Sequence, residues 1–193
     1  MSTSRLEAFS DGVLAIIITI MVLELRPPAT SYGASLMHIF PKFLAYFFSF
    51  LIVAIYWNNH HHLMKAAPKI SVGVMWANMH LLFWLSLVPF ATAWLGEPGH
   101  YLSRDPVLFY ASIALCCGIA YYMLSRAIVG ANPEAAIAEK ISIDTKGVAS
   151  LFIYAGAIGA AFFSPLVSLV LVVSTAVIWF IPDRRLEGVV EQN

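Results

Sequence analysis

Six stretches of mostly apolar residues run through this chain, at residues 5 to 25, 38 to 63, 72 to 95, 106 to 129, 146 to 163 and 165 to 181. Each approaches the roughly 20 residues that one helical crossing of a hydrocarbon layer needs. The charges agree with this reading: Asp, Glu, Lys and Arg make 11% of the 193 residues, against about 25% in a soluble domain. Apolar residues reach 60%, too many for water to cover, so a soluble enzyme is excluded. Eleven basic residues balance eleven acidic ones, and no net basic face remains for nucleic acid. Cys116 and Cys117 are adjacent in an apolar run, which is neither a disulfide framework nor a metal site. They are read as packing or lipid-facing residues.

Short polar punctuation separates the stretches. Pro27 and Pro28 stop the first; His60, His61, His62, Lys65, Pro68 and Lys69 separate the second from the third; Gly96, Glu97, Pro98, Gly99, Arg104 and Asp105 separate the third from the fourth. The first stretch carries Arg5, Glu7 and Asp11 and lacks a small-residue cleavage pattern, so it is not a secretory signal. With both termini cytoplasmic, the inner side holds Arg5, Lys65, Lys69, Arg126, Lys140, Lys146, Arg184 and Arg185, and the outer side Arg26, Lys42 and Arg104. That excess of inner Lys and Arg sets the expected orientation in a cell (inner or plasma) membrane. The linker from Gly130 to Thr145 reads as a short amphipathic interfacial helix. The last two stretches form a hairpin at Ser164 and Pro165, and the sixth is expected to tilt or lie at the periphery. Gly156 with Ala160, and Ala157 with Ala161, have the small-residue spacing of closely packed helices. No internal repeat and no separable soluble domain is visible, so residues 1–193 are expected to be a single six-helix membrane domain.

The first stretch is the unusual one. It reads Arg5, Leu6, Glu7, Ala8, Phe9, Ser10, Asp11, Gly12 before turning apolar at Val13. Ionisable groups inside a membrane helix mark a function or a buried pair, and Asp11 lies roughly 9 Å deeper than Arg5 at 1.5 Å per residue. In the expected topology Trp57, Asn58, Asn59 and His60, and Asn78 and His80, come to a similar inner depth. Ser10 and Asp11 are therefore expected to hydrogen-bond to the His60 imidazole and the Asn78 amide. No strained nucleophile turn or oxyanion hole accompanies them, so they do not form a catalytic triad. His60, His61 and His62 read as a helix end with solvated imidazoles. With only His80 opposed to them, no metal or haem site is expected.

On a helical wheel with Ile16 at zero, Leu23 falls near −20°, Ile20 near +40° and Thr19 near −60°, while Asp11 lies about 140° away. One face thus carries the polar groups and another is mainly Ile and Leu. Alone, the apolar stripe reads as lipid-facing or packing surface. Repeated around a symmetry axis, it makes a narrow apolar constriction with a threonine hydroxyl beside it, of the kind that gates by dewetting. Glu24 falls near 80° on the wheel, either raising cation concentration at a pore mouth or pairing with Arg26.

Arg5, Phe9, Ser10 and Asp11 form R-x-x-x-F-S-D, followed by Gly12, Val13, Leu14, Ala15, Ile16, Ile17 and Thr19. Trp57 stands three residues before His60, and Asn78 eleven and twelve residues before Pro89 and Phe90. In these residues the chain resembles the transmembrane protein 175 family, the lysosomal potassium channels and their prokaryotic homologues. The resemblance is strong over the first three helices and rests on hydropathy and helix count over the rest. It implies an all-α polytopic protein of six transmembrane helices, with the first helix of each subunit lining the pore of a homotetramer. It also implies a potassium-permeable cation channel, not an enzyme. No T-V-G-Y-G filter occurs in the sequence, so weak K⁺ over Na⁺ preference is expected from a hydrophobic constriction. By the same resemblance Ile16 is the constriction, Thr19 its neighbouring hydroxyl, and Ile20 and Leu23 the continuing pore face. Arg5, Phe9, Ser10, Asp11, Trp57, His60 and Asn78 are implied to form the interhelical network; His61 and His62 have no counterpart. The expected partners are K⁺ and other monovalent cations and the bilayer, with no cofactor. The alternative is a small proton- or cation-coupled secondary transporter, which also uses an intramembrane Asp and His; the inverted repeats and broken helices of that class are not visible.

Overall fold

The computed structural model of the chain describes residues 2–25, 34–100, 102–134 and 145–180, with 34–38 as backbone. The helices are α1 (Thr3–Leu23), α2 (Ala34–Lys65), α3 (Val72–Ser86), α4 (Val88–Gly96), α5 (Arg104–Ala131), α6 (Thr145–Ala161) and α7 (Pro165–Phe180). Local chemistry sets several of their ends. Ser2 and Ser71 cap α1 and α3, their hydroxyls accepting from the Arg5 and Val74 amides and satisfying donors that the first turn leaves free. Asp105 stands in the first turn of α5, where the helix dipole favours a negative charge. Pro165 opens α7 at the position where a missing N–H costs nothing.

The third apolar stretch, expected as one helix over 72–95, is two. Pro89 has no N–H for the Leu85 carbonyl, and the Leu87 amide turns instead to Trp84, at 3.2 Å. The helix breaks at Leu87, and α4 begins at Val88. The deciding residue was visible in the sequence, but its position inside an unbroken apolar run hid its effect. Taken together α3 and α4 still make one of four apolar spans among the described residues that are long enough to cross a membrane, with α1, residues 39–65 of α2, and α5. The helices α6 and α7 are shorter, at 17 and 16 residues.

α5 is the central post, packed on α3, α4, α6 and α7, while α1 lies against α2, α3 and α4. With α3 and α4 counted as one span, the chain passes back and forth between two ends, and polar contacts gather at each. At one end the Thr3 hydroxyl donates to the Ala67 carbonyl at 3.4 Å. There too Asn132 accepts from the Lys69 amide at 2.9 Å and donates to the Lys69 carbonyl at 3.0 Å. Asn132, read as part of an interfacial helix, is the buried cap of α5. A short polar side chain at a helix end serves the backbone of a neighbouring turn equally well. The rest of that expected helix, from residue 135 to 144, lies outside the described residues, as do Arg26, Pro27, Pro28, Lys140, Arg184 and Arg185.

At the other end Lys42 lies 3.7 Å from Glu97, and Arg104 stands over the Phe162 ring at 6.0 Å. The α6–α7 pair closes over Ala157, Ala161, Ser168 and Val172, all buried, so of the two small-residue pairs Ala157 with Ala161 is the one inside. Tyr154 and Thr175, and Trp179 and Ser150, bond across the pair at 2.8 Å each.

The approach of α2 to α4 depends on Gly96. A Cβ there would stand 2.9 Å from Lys42 Cγ and 3.1 Å from Lys42 Cα, and the backbone contact cannot move aside cheaply. Gly96→Ala is expected to lower stability by about 1–3 kcal/mol through overpacking. Gly130→Ala, with nothing within 4 Å of the added carbon, should be neutral or stabilising through helix propensity. Thermal melts of the two variants in detergent compare them directly.

Candidate functional site: the two sides of the first helix

Along α1 the residues Leu6, Ser10, Leu14, Ile17 and Met21 are buried, at the three- and four-residue spacing of one helical face. The opposite side, Arg5, Phe9, Gly12, Ile16, Thr19, Ile20 and Leu23, is exposed along the full length of the helix. Ile16 is 58% exposed and Leu23 74%. The helix is therefore held by one stripe and leaves the other without a partner in the single chain.

Ser10 anchors the held stripe. Its hydroxyl donates to the Leu6 carbonyl at 2.9 Å and accepts from the Asn78 amide nitrogen at 2.9 Å. The Asn78 oxygen is 2.7 Å from His60 Nε2. Because an amide oxygen only accepts, Nε2 carries the proton and donates. All three side chains are essentially without solvent contact. One chain of hydrogen bonds thus joins α1, α3 and α2, and its cost if left open in hydrocarbon is what makes it specific.

Asp11 does not join this chain. Its Oδ1 accepts from Trp57 Nε1 at 3.0 Å on the half-exposed side of the α1–α2 contact, instead of meeting His60 or Asn78. Ser10 and Asp11 are neighbours, and a helix turns 100° between them, so both cannot face the same cleft. A second contact sits one turn away: Glu7 Oε1 and His61 Nδ1 are 2.6 Å apart, and His61 stacks on Trp57 with ring centroids 6.1 Å apart. Glu7 and Asp11 on α1, and Trp57 and His61 on α2, are each four residues apart, so antiparallel helices bring them together as two rungs. His61, expected to be solvated, is a partner in this ladder. The i,i+4 spacing in both helices was the available signal.

Arg5 and Phe9 face outward: Phe9 is 52% exposed, and the Arg5 guanidinium has no partner among the described residues. His80 accepts from Trp84 Nε1 at 2.8 Å and makes no contact with the other histidines that could hold a metal; among the described residues no three His, Cys, Asp or Glu side chains converge on a metal position.

Along the free stripe, the Thr19 hydroxyl donates to the Ile16 carbonyl at 2.9 Å. Its one proton is thereby used, and only oxygen lone pairs point outward. Beside it, Val13, Ile16, Ile17 and Ile20 face Pro89, Phe90 and Ala93 across a cavity of about 510 Å³ that also touches Glu24 and Ser86. A second buried polar cluster, absent from the sequence reading, lies towards the other end of α1: Thr92 Oγ1 is 2.7 Å from Ser49 Oγ and 4.0 Å from Met21 Sδ, and Ser49 Oγ is 2.8 Å from Tyr110 Oη.

Four apolar spans with polar joints between them define an all-helical, polytopic membrane protein. The model of the family described as endosomal/lysosomal potassium channel TMEM175 matches residues 5–89, which hold α1 from Arg5 onward, the Ser10 chain and the start of α4. A protein named as a potassium channel in Chryseobacterium sp. (strain P1-3) is 46% identical over 194 residues, covering 100% of both chains. The mouse endosomal/lysosomal proton channel TMEM175 is 32% identical over 133 residues, 58% of this chain and 27% of that protein. The crystal structure of a lysosomal potassium-selective channel TMEM175 homolog from Chamaesiphon minutus aligns with a TM-score of 0.80 at 28% identity, over 93% of this chain and 96% of that one. The chain belongs to the TMEM175 family, as its R-x-x-x-F-S-D helix implied.

Replacing Asn78 by Ala should orphan Ser10 and His60 together and cost about 2–4 kcal/mol. Trp57→Phe removes one bond at the half-exposed rung and should cost less than half as much. Detergent melting curves of both variants give the comparison; equal losses would mean that the buried chain is not the stronger joint.

Proposed function

We propose that the chain is one subunit of a potassium-permeable cation channel of the cell membrane, in which four copies place the free side of α1 around a common axis. The observation that carries the reading is the division of α1: Ser10 and its neighbours hold one side, and Ile16, Thr19, Ile20 and Leu23 remain open along the other. The names of the full-length relative and of the homologous crystal structure support potassium as the permeant ion. In this reading residues 1–193 form a single six-helix channel domain, with α6 and α7 as the short outer pair. The end carrying Lys65, Lys69 and Arg126 faces the cytoplasm, as do both termini.

Four Ile16 side chains make a dry neck. A hydrated cation crosses it only by shedding part of its water shell, and K⁺, with its larger radius, holds that shell less tightly than Na⁺. The neck therefore favours K⁺ without coordinating carbonyls, and the preference is weak. Thr19 adds oxygen lone pairs directly beside the ring, and its proton is kept out of the way by the Ile16 carbonyl. Ile20 and Leu23 extend the apolar wall, and Glu24 raises the local cation concentration at the mouth. Arg5, Phe9 and Asp11 act in assembly from the exposed and half-exposed side of α1, whereas Ser10, His60 and Asn78 hold the helix from within. No cofactor, no metal and no enzymatic step enters the mechanism.

In liposomes the protein is expected to pass K⁺ down its electrochemical gradient without saturation. Saturable, coupled exchange with protons or another cation would identify a carrier instead, and silence would leave a scaffold. Ile16→Asn should wet the neck, raise unitary conductance and bring the K⁺/Na⁺ reversal potential towards zero. An unchanged current in planar bilayers would remove Ile16 from the pore.

A further inference from the structure

The first helix is fixed at two heights. Ser10 ties it to Asn78 and His60 on one side of Ile16, roughly 9 Å away along the helix, and Met21 rests on Thr92 on the other side, roughly 7.5 Å away. Between these points the wall facing Ile16, Ile17 and Ile20 across the cavity is Pro89, Phe90 and Ala93. That wall is the first turns of α4, which begin immediately after the break at Leu87.

A chain of hydroxyls holds those turns in place. Thr92 Oγ1 is 2.7 Å from the Val88 carbonyl and 2.7 Å from Ser49 Oγ, and Ser49 Oγ is 2.8 Å from Tyr110 Oη. The single Thr92 proton serves the Val88 carbonyl and Ser49 Oγ, with Met21 Sδ at the edge of its reach, and Ser49 and Tyr110 share the next contact, in which either hydroxyl can donate. Ser49 is fully buried, and Thr92 and Tyr110 are each 6% exposed, so water has little access to compete with the chain. A threonine bonded back to the carbonyl four residues earlier bends its helix, and here that carbonyl belongs to the residue next to Pro89. The tilt of α4 against α1 is thus set from α5, through α2.

We propose that Thr92, Ser49 and Tyr110 are positioning residues for ion permeation: their hydroxyl chain fixes the Pro89–Phe90 wall behind Ile16 and so sets the width of the neck. The proposal rests on the reading of Ile16 as a pore residue. It goes beyond that reading by placing control of the constriction in side chains that never touch the permeating ion. Thr92→Val keeps the side-chain shape and removes the hydroxyl; Thr92→Ser keeps the hydroxyl and removes a methyl group; Tyr110→Phe removes the far end of the chain and leaves Thr92 intact.

Single-channel recordings under opposed K⁺ and Na⁺ gradients, on protein taken from the assembled peak of a sizing column, test it. Thr92→Val and Tyr110→Phe are both expected to shift the reversal potential towards zero and to change unitary conductance, while Thr92→Ser behaves as the unmodified chain. A purely structural role would lower the yield of assembled protein and leave the permeation of what assembles unchanged. Thr92→Val or Tyr110→Phe channels with the original reversal potential and conductance would overturn the proposal. Where Thr92→Val gives no assembled protein, the Tyr110→Phe recording decides. Ile16→Asn, recorded in parallel, separates the two levels. A response to Ile16→Asn without one to Tyr110→Phe refutes the hydroxyl chain alone, and no response to Ile16→Asn refutes the pore face beneath it.

Discussion

A polar side chain inside a bilayer has no water to return to, so it must find its hydrogen-bond partner in another helix. The bond from Ser10 to Asn78, continued to His60 Nε2, is where the first helix meets that requirement. Three helices contribute one group each, and the geometry admits one rotation of α1 about its axis. With that rotation fixed, Leu14, Ile17 and Met21 turn inward and Ile16, Thr19 and Leu23 turn outward. The identity of the free face therefore follows from a serine six residues away from the proposed constriction.

A helix held on one side only has an unusual balance. Its buried stripe is apolar and small enough to pack, as in any bundle, yet its open stripe is equally apolar and cannot be told from lipid-facing surface by composition. What accompanies it is the cavity that Ile16 and Ile20 share with Pro89, Phe90 and Ala93. The α4 segment behind that cavity takes its direction from Pro89 and from hydroxyls on α2 and α5, so the surroundings of α1 are set by residues far apart in the sequence.

Much of the fold was legible beforehand because bilayer partition is nearly a sum over residues. Apolar length located the helices to within a few positions, and the charged start of α1 together with the Trp57–His60 and Asn78–Pro89 spacings identified the family. Three features were not legible. Pro89 was visible, but whether a proline in an apolar run kinks a helix or ends it depends on which neighbours take up the freed carbonyl. Glu7 and His61 have matching four-residue spacings with Asp11 and Trp57, but the register of two antiparallel helices decides whether those spacings coincide. Ser49, Thr92 and Tyr110 each resemble the isolated hydroxyls that membrane helices tolerate by bonding to their own backbone.

The sequence by itself determined that this chain lies in a membrane, where its main spans fall, and that its first helix carries the family's signature. Only the tertiary structure decided that Ser10, and not Asp11, enters the buried joint, that Asp11 pairs with Trp57, and that a chain of three hydroxyls joins α4 to α2 and α5. The physical reason is the difference in range. Hydropathy accumulates along twenty residues and tolerates local error, whereas a hydrogen bond forms or fails within a few tenths of an ångström and 100° of helix rotation.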